Sequence, residues 1–273
     1  MTVKRWLTHA CITLGALTGV AHAATLDQIK EKGVMTVATE DDYRPFEYIQ
    51  DGKPVGLDHD LLELLRKSSS FKINQTVMPW SGLLPGVTTG KYDVALTAVV
   101  VTPERAQSLD FAMPIAEATQ YYVVRADENK INAVADLSGK TVGVQAGGGS
   151  FAALSNLEKL LSATGGSLGK VVQYPSFPEA YQDLSNGRLD YVINGAPNLA
   201  SLVAEHPSRF KMGQAVGEPT YAAWAVAKGN TSVLNYLNEF MSKIRADGSL
   251  YQLQNKWLGM TFESMPVNPV TAP

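Results

Sequence analysis

Arg105 occupies a position from which an arginine can bind a carboxylate. It follows an almost unbroken apolar run, Val94 to Val101, which predicts a parallel strand buried on both faces. Thr102 and Pro103 break this strand and predict a short helix with Thr102 as its N-cap. Ligands of open α/β sheets bind at the carboxyl ends of the strands, where a guanidinium can donate two parallel hydrogen bonds to a carboxylate. A surface arginine on a short helix is the alternative that the position alone leaves open.

Two large aromatic residues follow other predicted strands. Tyr43 comes after the first strand of the chain, and Trp80 comes after the strand that ends near Val77. A large aromatic residue by default belongs to the core. Because both stand on the same side of the predicted sheet as Arg105, we interpret them as walls around a ligand.

A glycine-rich turn, Gly147-Gly148-Gly149, lies between a predicted strand and a predicted helix. Backbone N–H groups in such a turn can face a small anion. The turn lacks the Lys-Ser/Thr ending of a phosphate loop, and it does not match the G-x-G-x-x-G pattern of dinucleotide sites. A plain turn is the equally open alternative.

The residues that could act in catalysis or hold a metal are few. After the first 23 residues the chain has two histidines, His59 and His206, on different predicted helices. Neither has a cysteine or carboxylate at metal-ligand spacing, so we predict two solvated histidines and no metal or cofactor. A G-x-S-x-G elbow and a P-loop are both missing from the sequence.

The elements before Arg105 alternate between strands and helices. Hydrophobic patterning predicts strands at Val34–Ala38 and Phe71–Val77, and helices at Asp58–Lys67 and Trp80–Thr89. Asp51-Gly52 predicts a hairpin turn between two short strands. The order strand, helix, strand, helix, strand predicts a doubly wound α/β sheet.

A second α/β unit begins with a strand at Lys140–Gln145. Amphipathic helices at Thr231–Asp247 and Leu250–Leu258 then close the chain, and Pro266–Pro273 resembles a loose tail. This order is compatible with two lobes joined by two crossovers or with two consecutive domains.

Residues 1–23 are typical of a signal peptide. Lys4 and Arg5 precede the apolar segment Ala10–Val20, and Ala21-His22-Ala23 is a small-x-small cleavage site. The mature chain is predicted to begin at Ala24 and to have no cysteine. Its 21 basic and 26 acidic residues give a net charge of −5. This charge argues against nucleic acid and anionic membranes as partners.

Four sequence blocks together resemble a known family. They are TPERA with LDF after it, YRPFEY, KPVGLDHDL and GRLDYVINGAPN. They are similar to blocks of the family-3 bacterial extracellular solute-binding proteins, the periplasmic receptors of polar amino-acid ABC transporters. The resemblance implies an α/β fold of the type II periplasmic-binding-protein class, with two doubly wound lobes and a hinge of two crossover strands. It implies a first lobe at 24–117 plus 222–262, a second lobe at 118–221, a tail at 263–273, and a ligand in the cleft.

The resemblance also assigns roles to single residues. It implies that Arg105 clamps a ligand carboxylate and that Tyr43 and Trp80 sandwich the ligand. The other ligand-binding positions that it implies are Glu40 as the acidic position, Thr97 and Ala98 in a loop of backbone contacts, Gln145 and Gly149 in the loop that closes over the ligand, and Asn194 and Gly195 in the last block.

Three residues depart from the family pattern. Gly195 stands where an aspartate normally binds the ligand's α-ammonium, Val100 replaces a threonine that helps to hold the carboxylate, and the closing loop reads Gly-Gly-Gly. A buried ammonium without an ion-pair partner is strongly destabilising. Either Glu40 or Asp41 replaces the aspartate, or the ligand has no α-ammonium.

These features predict a monomeric periplasmic receptor, not an enzyme. It would bind a small carboxylate or amino-acid-like ligand and present it to an inner-membrane ABC permease. The alternative is an enzyme on the same fold, similar to the periplasmic cyclohexadienyl dehydratases. Their general acid corresponds to Phe151, which cannot donate a proton, although Glu40 could serve instead. The sensor domain of a kinase or channel is disfavoured, because no second membrane segment precedes the end at Pro273.

Overall fold

The computed structural model describes residues 23–270. The predicted signal peptide, apart from its last residue, lies outside this part of the chain. Within residues 23–270, no helix is long and apolar enough to cross a membrane.

The first part of the chain alternates between strands and helices, as predicted. Helix α1 begins after the N-cap Thr25, which forms a capping box with Gln28, and it ends at Gly33 in the left-handed conformation. The elements are α1 (Leu26–Lys32), β1 (Val34–Glu40), β2 (Asp42–Tyr43), β3 (Glu47–Gln50), β4 (Lys53–Val55), α2 (Leu57–Ser68), β5 (Lys72–Met78), α3 (Trp80–Thr88), β6 (Val94–Val100), β7 (Leu109–Phe111) and β8 (Ala116–Glu117).

The second part builds another sheet and then returns to the first one. Its elements are β9 (Gln120–Arg125), β10 (Val142–Gln145), α4 (Gly149–Ala152), α5 (Leu154–Ser162), β11 (Val171–Tyr174), α6 (Phe177–Ser185), β12 (Tyr191–Gly195), α7 (Ala196–Glu205), β13 (Phe210–Ala215), β14 (Tyr221–Ala227), α8 (Thr231–Ala246) and α9 (Ser249–Leu258). Short 3₁₀ helices cover Arg105–Gln107 and Val134–Leu137.

The first sheet has the order β5-β1-β6-β14-β7, with β8 paired to β14. Strand β1 runs parallel to β5 and β6, whereas β14 runs antiparallel to β6. All seven residues of β6 are buried, which confirms the prediction of a strand covered on both faces. We call this sheet and the helices packed on it the first lobe.

The second sheet has the order β11-β10-β12-β9-β13 and forms the second lobe with its helices. Strands β10, β11 and β12 are parallel, and β9 and β13 pair antiparallel to their neighbours. The two-lobed α/β fold is therefore the predicted one. The sequence analysis did not identify β7, β8 or β13 as strands.

The predicted hairpin is also present. Strands β3 and β4 pair around Asp51 and Gly52, whose φ angles are 51° and 74°. Two consecutive positive φ angles define a type I′ turn, which suits the twist of paired strands and favours a glycine.

Two adjacent crossovers connect the lobes. Ala118 donates its N–H to the Thr220 carbonyl at 2.8 Å, and Val216 donates its N–H to the Gln120 carbonyl at 2.9 Å. Strand β8 pairs with the beginning of β14 in the same region. The predicted lobe boundaries at 117–118 and 221–222 fall on these crossovers, and their use as hinge points stays a prediction.

The C-terminal segment after α9 contacts the rest of the chain at Met265 and Pro266, whereas Val267 and Val270 are exposed. Met265 is buried, and Arg245 donates to the carbonyls of Met265 and Pro266 at 3.4 and 3.3 Å. Arg245 also donates to the Pro114 carbonyl at 2.6 Å, beside the first crossover. The segment therefore packs on α8 and near the connection between the lobes.

Candidate functional site

The predicted site residues converge where the carboxyl ends of strands from both sheets face each other. Strands β1 and β6 contribute from the first lobe, and β10 and β12 contribute from the second. Four hydrogen bonds cross between the lobes here, so this edge of each sheet is also the interface of the lobes. Their donor and acceptor pairs are Arg105 with Gly147, Gln145 with Glu40, Tyr43 with Asn194, and Asn198 with Arg44.

Arg105 lies on the 3₁₀ turn after β6. Its backbone N–H donates to the Thr102 hydroxyl at 3.2 Å. The N-cap of the turn is Glu104, two residues after the predicted Thr102, and its side chain makes no capping hydrogen bond. The guanidinium donates from Nη1 to the Val100 carbonyl at 2.6 Å and from Nη2 to the Gly147 carbonyl at 2.9 Å. Its Cζ lies 5.0 Å from the centroid of the Trp80 ring, which is a cation–π contact.

The electrostatics of Arg105 keep it cationic. Burial lowers the pKa of Arg105 to about 10, while the coulombic effects of Tyr43 and Glu40 raise it. The group therefore remains protonated at neutral pH. Its two donor nitrogens face oxygen acceptors that belong to different lobes, and two such acceptors can be replaced by the two oxygens of a carboxylate.

Glu40 and Gln145 meet across the lobes. Glu40 ends β1, Gln145 ends β10, and both side chains are buried. Gln145 Nε2 donates to Glu40 Oε1 at 2.5 Å. Burial raises the pKa of Glu40 to about 8, with smaller opposing effects from the Gln145 hydrogen bond and from Arg105. The carboxyl group is therefore mostly protonated at neutral pH and can donate a hydrogen bond.

Tyr43 is held by the second lobe. Its hydroxyl donates to Asn194 Oδ1 at 3.2 Å, and Asn194 Nδ2 donates to the Tyr181 hydroxyl at 2.8 Å. The Tyr43 ring packs between Phe46, at 5.8 Å, and Phe177, at 5.7 Å between centroids. Its ring is thus part of an aromatic contact that spans both lobes. The sequence analysis did not single out Tyr181.

Gly149 of the second lobe packs directly against Val100 of the first lobe. A β-carbon at Gly149 would lie 2.5 Å from Val100 Cγ2, closer than van der Waals contact allows. The departure from threonine to valine at Val100 thus coincides with the absence of a side chain on the opposite lobe. Gly147 adopts a positive φ of 64° and presents its carbonyl to Arg105.

Asn198 fills the space beside Gly195. The Asn198 Oδ1 atom lies 2.6 Å from the point where a β-carbon of Gly195 would stand, and Gln120 Nε2 and the Tyr43 hydroxyl lie at 3.6 Å. Asn198 Oδ1 and Gln120 Oε1 are buried and have no hydrogen-bond partner among the described residues. The place of the missing aspartate is therefore surrounded by neutral amides. Gln120 lies within strand β9, and no motif in the sequence marks it as a site residue.

Thr97 and Ala98 belong to strand β6, which corrects the expectation of a loop. The pairing of β6 with β1 ends at Ala95, two residues earlier. The Thr97 hydroxyl donates to the Glu47 carboxyl, so its side chain is already bound within the first lobe. Contact of Thr97 with a ligand through its backbone stays a prediction.

A buried acid pair lies behind this strand. Burial raises the pKa values of Glu47 and Asp58, and the charge of Asp58 raises that of Glu47 further. Two carboxyl groups buried together favour a state in which at least one of them is protonated. Trp224 Nε1 donates to Asp58 at 2.5 Å. The pair fixes Thr97 and thereby the end of β6. Both acids stand in the quoted YRPFEY and KPVGLDHDL blocks, which were the signal that could have identified them.

Both histidines were predicted to be solvated, and the structure confirms this for only one of them. His59 is 6% exposed and bonds to Gln75 at 2.9 Å, and burial lowers its pKa to about 4, so the prediction of a solvated His59 is wrong. His206 is exposed, as predicted. Phe151 is 41% exposed at the beginning of the second lobe's α4. Among residues 23–270, no cluster of three or more His, Cys, Asp or Glu side chains could hold a metal ion.

The fold and the blocks define a class of protein, the type II solute-binding receptors. The chain belongs to the bacterial extracellular solute-binding proteins, family 3, which it matches over residues 35–260. It is therefore a solute-binding protein of the kind that serves ABC transporters.

Three relatives illustrate the likeness. The chain is 28% identical to a probable histidine-binding protein of Neisseria gonorrhoeae, over 94% of this chain and 96% of that protein. It is 28% identical to the L-cystine-binding protein TcyJ of Escherichia coli, over 88% of each. It also superimposes on the ancestral amino-acid-binding protein AncCDT-1, a precursor of cyclohexadienyl dehydratase, with a TM-score of 0.75. That match has 29% identity and covers 86% of this chain and 100% of that one.

Proposed function

We propose that this protein is a periplasmic receptor that binds an amino acid or a related small carboxylate between its lobes and delivers it to an inner-membrane ABC permease. A cleavable signal peptide would export it. The observation that carries the proposal is the Arg105 guanidinium, whose two donor nitrogens reach acceptors in both lobes over the Trp80 ring.

In this proposal the ligand carboxylate takes the place of the two carbonyl acceptors of Arg105. A bidentate guanidinium–carboxylate pair gives stronger and more directional hydrogen bonds than a pair with neutral carbonyls. Tyr43 and Trp80 enclose the apolar part of the ligand. Because binding and release need no covalent step, specificity comes from the polar groups of the cleft.

The ligand group next to the ligand's carboxylate would meet uncharged side chains of the protein. Gly195 removes the usual anionic partner, Asn198 and Gln120 offer neutral amide oxygens, and Glu40 holds a proton at neutral pH. An α-ammonium would lower the pKa of Glu40 and pair with its ionised form. A hydroxy or keto group would instead bind the protonated form. The relatives that bind histidine and L-cystine support the amino-acid form.

A thermal-shift screen of the mature protein, refolded to remove bound solute, tests the proposal. The solutes are amino acids, each beside the hydroxy, keto or plain acid of the same carbon chain. A ligand at 100 times its dissociation constant stabilises the folded state by about 2.7 kcal/mol, which this assay resolves. Stabilisation by a carboxylate solute, lost in Arg105→Ala, supports the receptor. A screen in which no carboxylate solute shifts the melting temperature contradicts it.

One observation keeps an enzyme as a second candidate. Glu40 is a buried carboxylic acid with a pKa raised to about 8, and such a group in a cleft can act as a general acid. An assay of prephenate and arogenate consumption with Glu40→Gln as the control tests this candidate. If the protein consumes either compound and Glu40→Gln abolishes this turnover, the proposed function is that of a dehydratase and not of a receptor.

A further inference from the structure

A cavity of about 400 Å³ opens beside the Tyr43–Asn194 hydrogen bond. Both residues line it, and it lies between the first-lobe segment Asp42–Arg44 and the helices α6 and α7 of the second lobe. We call it the side cavity. Its volume falls in the range of small-molecule sites. Because each lobe supplies part of its wall, a molecule bound in it contacts both lobes.

The inner wall of the side cavity is aromatic. The ring centroid of Phe177 lies 5.7 Å from that of Tyr43 and 5.8 Å from that of Tyr181, and Tyr181 lies 6.2 Å from Phe210. All four rings line the cavity. This continuous surface leads from the predicted ligand sandwich into the second lobe, and it suits the methylene chain of an elongated solute.

Two carboxylates and two guanidinium groups line the side cavity. The first lobe contributes Asp42 and Arg44, with 3.9 Å between their charged groups, and the second lobe contributes Glu205 and Arg209. Each lobe thus offers one carboxylate and one guanidinium. A ligand end with a single charge would meet a like charge on both sides. A zwitterionic end has a complement for every one of these groups.

Two buried residues of the side cavity also border the proposed ligand site. Asn194 and Asn198 line the cavity and are buried, and Asn198 Oδ1 has no hydrogen-bond partner among the described residues. The same oxygen lies beside Gly195, at the second-lobe side of the proposed ligand site. An unpaired buried acceptor in this position favours a ligand that carries a donor there.

We propose that the side cavity is a second compartment of the ligand site, and that it takes the zwitterionic far end of an elongated amino-acid-type solute. Arg105 holds the first carboxylate of that solute. The inference rests on the proposed receptor function and extends it to a substrate class, namely solutes with a carboxylate at one end and an ammonium–carboxylate group at the other. The far end contacts both lobes and thereby favours their closure.

Two pairs of solutes test this inference by isothermal titration calorimetry. Diaminopimelate differs from lysine by the carboxylate of its far end, and aminopimelate differs from pimelate by the ammonium of its far end. In the first pair, the end that Arg105 holds is an amino acid, and in the second pair it is a plain carboxylate. One of the two pairs therefore applies whether or not the cleft beside Gly195 and Glu40 accepts an α-ammonium. We expect the zwitterion-ended member to bind at least about tenfold more tightly in that pair, because charge-assisted hydrogen bonds in a half-buried site are of that size.

Substitutions in the side cavity separate its role from that of the cleft. Glu205→Gln and Arg44→Gln each remove one charge without changing the size of the side chain greatly, and Ser201→Phe fills part of the space beside α7. We expect these variants to abolish the preference for the zwitterion-ended solute within its pair. Glu239→Gln, on an exposed position of α8 outside the cavity, is the matched control and should keep the preference.

The outcomes distinguish the two proposals. Equal affinities within both pairs, or a preference that survives all three side-cavity variants, overturn the second compartment and leave the receptor intact. Binding of short carboxylates in the screen but of none of these four solutes also overturns the compartment. A protein that binds no carboxylate at all overturns the receptor function and the compartment together.

Discussion

Asn198 occupies the space of a side chain that Gly195 does not have. Its Oδ1 atom stands 2.6 Å from the position of a Gly195 β-carbon and is buried without a partner among the described residues. The space in which a side chain at position 195 would stand is thus filled by the neutral amide of a residue of helix α7.

The contact between Asn198 and the space beside Gly195 predicts the effect of placing an aspartate at position 195. Gly195→Asp alone should lower the stability of the protein by about 1–3 kcal/mol, because its β-carbon collides with Asn198. Gly195→Asp combined with Asn198→Ala should recover the stability and shift the preference toward solutes with an α-ammonium. Chemical unfolding and the solute screen measure the two effects. A double variant with unchanged solute preference would show that this position does not contact the ligand.

Arg105 should be essential for binding and dispensable for folding. Arg105→Ala removes a charge-assisted, bidentate donor, so we expect a loss of affinity of about 100-fold or more, or about 3 kcal/mol. Arg105→Lys keeps the charge without the planar fork and should be intermediate. Arg188→Ala, at an exposed ion pair with Asp183, is the matched control. Undiminished binding by Arg105→Ala in calorimetry would place the carboxylate elsewhere.

Glu40 should make the protein less stable as the pH rises. Its folded pKa of about 8 lies above the ordinary value of 4.5, so between these values the folded state holds a proton that the unfolded state has released. The free energy of unfolding therefore falls across this window, by at most about 1.4 kcal/mol per pH unit from this group.

Urea unfolding of the wild type and of Glu40→Gln between pH 5 and roughly 8 measures this contribution. Subtracting the unfolding free energies of the two proteins at each pH cancels the contribution of the Glu47–Asp58 pair, which is common to both. Glu40→Gln should lose less stability over the window than the wild type. Parallel curves would mean that Glu40 is ionised throughout.

Gly149 should be needed for the lobes to approach each other. Gly149→Ala places a methyl group 2.5 Å from Val100 Cγ2, and this collision occurs only when the lobes are together. We expect ligand affinity to fall by about tenfold, with little change in the unfolding free energy of the free protein. Adding Val100→Ala should restore the affinity. Failure of this rescue would place the effect within the loop itself.

The sequence predicted most of the fold because its strongest elements carry local patterns. The predicted bounds of β1 and β5 lie within two residues of the observed ones, and β6 is recognisable as a continuous apolar run. Strands β7, β8 and β13 were missed because they are short or of mixed polarity, as in Phe210–Ala215, and are defined by partners far along the chain. Such long-range pairing leaves no local pattern.

The site was predictable where a residue follows a strand directly. Glu40 and Gln145 end their strands and Arg105 lies on the turn that follows β6, so the sheet topology brings them to one edge. The contacts of Asn198, Gln120 and Tyr181 depend on how α6 and α7 pack against the second sheet, and no spacing in the sequence encodes that packing. The side cavity was not predicted for the same reason.

Strand β14 gives the two lobes different folding histories. All strands of the second sheet lie within residues 120–215, so that sheet can form from one continuous piece of chain. The first sheet pairs Val100 with Ala222 and cannot close until this late segment is available. Closing so long a loop is slow and carries an entropic cost. The second sheet can therefore be completed before residues 221–227 are available, whereas the first sheet cannot.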